Sequence, residues 1–190
     1  NRLARMHGNA LGKATFRHCP EDFNVHEIID FEPFGEGEHL LVHIHKRDQN
    51  TQWIAGLLAE QANINRRDIG FCGLKDRFAI ATQWFSLHLP GRDIDLSQLQ
   101  HNDYQILSSG RHNKKLRRGD HAGNRFSIRL RDFDVSFEQF SERLEKIEKQ
   151  GVPNYFAEQR FGWDANNLVK AQELIIDGRL KGNRKGTGMY

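Results

Sequence analysis

Residues 124–133 read NRFSIRLRDF. Phe126, Ile128 and Leu130 alternate with Arg125, Ser127, Arg129 and Arg131. A two-residue period puts one set on each face of a sheet, so this stretch predicts a strand with its three apolar residues toward the core. EHLLVHIHK at 38–46 has the same period, with Leu40, Val42 and Ile44 on one face and His39, Leu41, His43 and His45 on the other. AIATQWFSLHL, YQILSS and the stretch from Phe23 and Val25 to Ile28 read as further strands.

Helical spacing is confined to fewer segments. TQWIAGLLAEQANI places Ile54, Leu57, Leu58 and Ala62 on one side, with Asn50 or Thr51 able to cap its start. Ser136 with Gln139 forms a capping box ahead of Phe137, Phe140, Leu144 and Ile147, and Gly151 is a stop signal. NNLVKAQELIID predicts a last helix ended by Gly178, and the Gly-rich basic tail beyond it reads as mobile. Strands dominate the first two thirds and helices follow. That order predicts an α+β fold with a mostly antiparallel sheet, and a domain junction near Gly151.

The chain of 190 residues is long enough to bury a core without staples. No apolar run approaches the roughly 20 residues that span a bilayer, and Cys19 and Cys72 have neither metal nor redox spacing. Location in a reducing compartment, the cytoplasm, is the simplest expectation. Net charge is only +3, but RHNKKLRR at 111–118 packs five cations into eight residues. Acids concentrate elsewhere, an asymmetry that suits a polyanion on one face. A solvated charged face would look the same.

Asp76 stands inside GLKDR, between a glycine turn and a strand start, flanked by Lys75 and Arg77. By spacing alone it reads as a turn aspartate bonded to its own backbone, ahead of a held catalytic carboxylate. His39, His43 and His45 share a strand face, but no acid or cysteine completes a zinc spacing, so no metal is expected. Asn124 and Phe126 could bond the edge of a uracil and stack on its face, although parity alone places Phe126 in the core.

Five ordered segments carry a family likeness. PEDFNVHEI, FEPFGEGEHLLVHIHK, GLKDRFAIATQWFS, GNRFSIRLR and GVPNYFAEQRFG together resemble the TruD family of tRNA pseudouridine synthases. The resemblance implies a mixed, largely antiparallel pseudouridine synthase sheet with flanking helices and an isomerase that converts uridine 13 of tRNA to pseudouridine without cofactor or metal. Asp76 falls on the essential carboxylate. Arg17 falls on its basic partner, where the family commonly has lysine. Phe23, Asn124 and Phe126 fall on the uracil pocket. Lys75, Arg77, Arg111, Lys114, Lys115, Arg117 and Arg118 are then expected along the tRNA backbone. Residues 1–150 would form the N-terminal part of the catalytic domain and 151–190 the start of a TruD-specific inserted domain. The family is considerably longer, so the insertion is expected to continue past Tyr190 and the chain to return to the sheet. The other reading is a non-catalytic RNA-binding protein that keeps the fold.

Overall fold

The computed structural model describes residues 4–33, 35–155 and 166–176. The chain divides into two compact units. Residues 12–135 form one, and residues 1–11 with 136–190 form the other.

The larger unit is built on a six-stranded sheet. Its strands are β2 (Phe23–Ile28), β3 (His39–Arg47), β4 (Ile69–Phe71), β5 (Ile80–His88), β6 (Tyr104–His112) and β7 (Gly123–Ile128). The order is β6-β3-β5-β2-β7, with β4 also paired to β5. Only β2 and β5 run parallel; every other pair is antiparallel. Two short strands, β1 (Thr15–Phe16) and β8 (Leu130–Arg131), pair separately. The α+β class and mixed sheet expected from the sequence are both present.

Helix α1 (Thr51–Gln61) packs on one sheet face. Asn50 caps it, its side chain accepting from the Gln52 N–H at 2.8 Å. Ile54 and Leu58 meet Val42, Ile44, Phe85 and Leu87, all fully buried. Truncating such a residue to alanine costs roughly 2–5 kcal/mol, so this layer holds the sheet's centre.

Two readings are corrected. The stretch 124–133 is not one strand: β7 ends at Ile128, the Arg129 N–H bonds the Asp22 carbonyl at 2.8 Å, and β8 joins the other sheet. Arg131 secures this turn with a bidentate pair to the buried Asp22, at 2.7 and 2.9 Å. Nor are its apolar residues core. Phe126, Ile128 and Leu130 are 54%, 48% and 45% exposed. The reason is position: β7 is the last strand in the order, and alternation does not reveal which strand lies at an edge.

In the smaller unit α2 (Phe137–Gln150) is capped by Ser136, whose oxygen accepts from the Gln139 N–H at 3.2 Å. It stops at Gly151, in the left-handed region at φ +71°. A third helix, α3, spans Asn166–Ile176. Gly178, the tail, and most of NYFAEQRFG lie outside the described residues.

Candidate active site

Three strand residues break the rule that a core-facing position is apolar. Glu27 follows Phe23 and Val25 in phase on β2. Lys46 follows Leu40, Val42 and Ile44 on β3. Gln83 sits between Ala81 and Phe85 on β5. Glu27, Lys46 and Gln83 are buried to within 1% of completely. A polar group in that position is costly unless bonded. Together they form a polar floor under the loop that carries Asp76.

The loop is tied to that floor along its length. Gln83 donates to the Gly73 carbonyl at 3.3 Å. The Thr51 hydroxyl accepts from the Lys75 N–H at 3.0 Å and donates to Gln83 at 2.8 Å. Lys46 Nζ donates to the Gln49 carbonyl at 2.6 Å and to the Asp76 carbonyl at 3.4 Å. Burial pushes this lysine down to about 8; the Asp76 charge opposes that shift and Lys75 adds to it.

Glu27 occupies a fork in the sheet. β5 pairs with β2 up to Thr82 and with β4 from Phe85, so the Trp84 N–H lies between the two ladders. Glu27 Oε1 accepts from it at 3.0 Å. The other oxygen, Oε2, pairs with Lys75 Nζ at 2.6 Å. That ammonium also donates to Asn124 Oδ1 at 2.6 Å. An ammonium has no acceptor, so the amide must turn its oxygen to Lys75, which leaves Nδ2 to donate elsewhere.

Asp76 itself faces out. Its carboxylate pairs with the Arg17 guanidinium, 59 residues away in sequence. Arg17 lies 3.7 Å above the centre of the Phe23 ring, a cation–π contact, and its backbone is in the left-handed region at φ +55°. That conformation is uncommon for a residue with a side chain, and such strain clusters at functional sites. Phe126 leans on Phe23 with ring centres 5.8 Å apart. Phe23 is therefore buried beneath Arg17 and Phe126, while Phe126 keeps an exposed face.

Arg17, Phe23, Lys75, Asp76, Asn124 and Phe126, named from the sequence, thus converge. Two expected RNA-facing cations are committed elsewhere. Lys75 is buried against Glu27 and Asn124, because its loop lies down on the sheet. Arg111 is bound by Asp93 and by the carbonyls of Leu89 and Arg92. Arg77 is exposed and 3.5 Å from Asp48. Lys114, Arg117 and Arg118 are exposed, and Lys115 donates to the Arg67 carbonyl. The 111–118 run starts at the opposite end of the sheet from Asp76, where His112 faces His39, and comes back beside the start of the Asp76 loop, where the Gly119 N–H bonds the Cys72 carbonyl at 2.9 Å.

Glu27, Lys46, Gln83 and Thr51 were not singled out from the sequence. The signal was available: a charged or amide residue in the apolar phase of a strand. The strand histidines are held by separate ring contacts, His43 stacked on Trp84 at 4.6 Å and His39 on His88 at 4.7 Å. Among the described residues no three His, Cys, Asp or Glu side chains converge as metal ligands. No helix among them is long and apolar enough to cross a membrane.

A family model described as tRNA pseudouridine synthase D (TruD) matches residues 8–183. The chain belongs to the TruD family. It is 45% identical over 184 residues to tRNA pseudouridine synthase D of Aeromonas hydrophila, covering 96% of this chain and 52% of that one. To the protein of the same name from Pseudomonas syringae pv. syringae it is 46% identical over 181 residues, covering 95% and 51%. A crystal structure from Methanosarcina mazei assigned to TruD superposes with a TM-score of 0.70 at 34% identity, over 90% of this chain and 40% of that one. The TruD membership expected from the five segments therefore holds. The chain spans about half the length of the curated TruD relatives it matches.

Proposed function

We propose that this chain carries the catalytic carboxylate and part of the uracil pocket of a tRNA uridine isomerase acting at uridine 13. The observation that carries this reading is the Asp76 loop: a carboxylate facing out, held by Arg17 on one side and bedded on a buried polar floor on the other. A catalytic group needs that combination of access and fixed direction.

Each neighbour has a role in the chemistry. Asp76 acts on the ribose of the target nucleotide, so that the uracil leaves through nitrogen and rejoins through carbon. Arg17 fixes the direction of the carboxylate through a charge-assisted hydrogen bond. The target base must leave its stack, and Phe126 offers an exposed ring to receive it. Asn124, with its oxygen held by Lys75, presents only donors, which suit the carbonyl oxygens of uracil. Lys75 is assigned to hold Asn124; Arg77, Lys114, Lys115, Arg117 and Arg118 are assigned to the RNA backbone. Residues 1–150 are proposed as the N-terminal part of the catalytic domain and 151–190 as the start of the inserted domain.

The test is a tRNA transcript carrying tritium at uridine carbon 5, which is released to water on isomerisation. The assay uses the native protein at the full length of its relatives, and the expected result is release with it, none with Asp76→Asn, and none from a transcript with cytidine at position 13. Asp76→Asn should still bind tRNA within about twofold. Full release by Asp76→Asn removes the carboxylate's role. Binding without release by the native chain supports a non-catalytic RNA-binding protein instead.

A further inference from the structure

A second site stands at the far end of the sheet. β5 has nine residues, which span roughly 27 Å at strand rise. Asp76 precedes its first residue, whereas its last, His88, pairs with His39 at the start of β3, itself opposite His112 at the end of β6. Beside this end lie two cavities of about 450 and 550 Å³. They share Asn113, Lys114, Lys115 and Asp120; Asp30, Phe31, His112 and Leu116 line the first, and His39 and Arg117 the second.

The wall that carries the cations is rigid. Leu116 is buried with Leu41 and Cys72, and its N–H donates to Ser86 Oγ at 3.0 Å. The Gly119 N–H bonds the Cys72 carbonyl at 2.9 Å, the Lys114 N–H bonds His112 Nδ1 at 3.0 Å, and the Arg117 N–H bonds Asp120 at 2.7 Å. Lys114 and Arg117 therefore project from a fixed backbone rather than a free loop.

Two further observations point to an anionic ligand with an aromatic part. His39 is nine-tenths buried, and its Nδ1 has no hydrogen-bond partner among the described residues. Burial, His88, Lys115 and His112 all disfavour its protonation, and only Glu38 opposes them. In the lining Lys114, Lys115 and Arg117 outnumber Asp30 and Asp120, a surplus of positive charge that an anion would offset. The ring of Phe31 lies 5.1 Å from that of His112, and both line the first cavity with the lysines. Cations beside an aromatic wall, in cavities of this size, suit a nucleotide better than a bare phosphate or a carboxylate.

We propose that these adjoining cavities form a second nucleotide subsite, in which Lys114 and Arg117 grip a phosphate of the RNA strand and Phe31 stacks on its base. The proposal rests on the reading of the chain as an RNA-modifying protein, and assigns it a contact to a nucleotide other than the isomerised uridine.

The full chain is titrated with a 5′-labelled tRNA transcript by fluorescence anisotropy between 50 and 200 mM KCl. Lys114→Ala with Arg117→Ala should weaken binding at least tenfold at 100 mM and reduce the log–log salt slope by about 1–2. Phe31→Leu keeps the buried apolar contact but removes the stack; it should weaken binding about fivefold or more and leave the slope unchanged. Thermal unfolding of each variant checks that it is folded. Native affinity and slope in both variants, with the native chain binding tRNA, overturn the subsite but not the proposed activity. Loss of slope with an unaffected Phe31→Leu leaves a generic polyanion patch and overturns the nucleotide assignment. Weakened variants in a chain that never releases tritium uphold the subsite and overturn the proposed activity. A native chain that binds no tRNA overturns both.

Discussion

Lys75 Nζ lies 2.6 Å from Glu27 Oε2, and the two side chains are 4% and 0% exposed. The pair closes the fork where β2 and β4 part along β5, and it sits directly beneath Asp76. Such a pair gains little over apolar replacement, yet removing one partner strands the other's charge. Lys75→Met or Glu27→Leu should each cost about 3–5 kcal/mol by urea denaturation, and the two together should recover at least half of their summed cost. Additive losses in the double variant would mean that the two residues are not coupled.

Lys46 gives stability a pH dependence with a definite sign. Its ammonium titrates at about 8 in the folded protein, against 10.5 ordinarily. Below pH 8 both folded and unfolded chains hold the proton, and the folded chain bears the whole cost of burying the charge. Between pH 8 and 10.5 the unfolded chain binds more protons, so this contribution to stability rises with pH. Its full span is on the order of 3 kcal/mol. The stability of Lys46→Met relative to the native chain should therefore fall from pH 7.5 to 10.5, measured as paired urea midpoints. A constant offset across that range would refute the assignment.

Arg17 holds Asp76 through one guanidinium nitrogen, while its Nε finds no partner among the described residues. A lysine could make the same single contact, unlike at a bidentate site. Arg17→Lys should retain tritium release within about tenfold, whereas Arg17→Ala should lose about a hundredfold or more. Equal losses in the two would show that the guanidinium's shape, not its charge, is what the site uses.

Gly70 and Gly73 should respond oppositely to alanine. A Cβ on Gly70 would lie 2.3 Å from the Leu116 carbonyl oxygen and 2.5 Å from Ser86 Oγ, forcing the basic segment off the sheet. On Gly73 the nearest atoms are 3.8 Å away. Gly70→Ala should cost about 1–3 kcal/mol and weaken tRNA binding. Gly73→Ala should change thermal stability by less than about 1 kcal/mol. Similar midpoints for the two would contradict the close approach of 116 to β4.

Local pattern carried far into the fold. The alternation of β3 and β5, the spacing of Ile54 and Leu58, and the cap at Asn50 each depend on near neighbours, and all are present. β4 was not anticipated, because three residues are too few to display a period. The end of β7 was missed because Arg129 is held by Asp22, more than a hundred residues earlier.

The sequence by itself determined the α+β class and the TruD family, since period and ordered motifs are properties of the chain alone. Tertiary structure decided what each motif residue faces. It put Phe126 on an edge strand and so exposed its ring. It turned Lys75 inward to Glu27 and Asn124, and it started the basic run at the far end of the sheet from Asp76. Those outcomes depend on strand order and on contacts 48 to 59 residues apart in sequence, which no local period records.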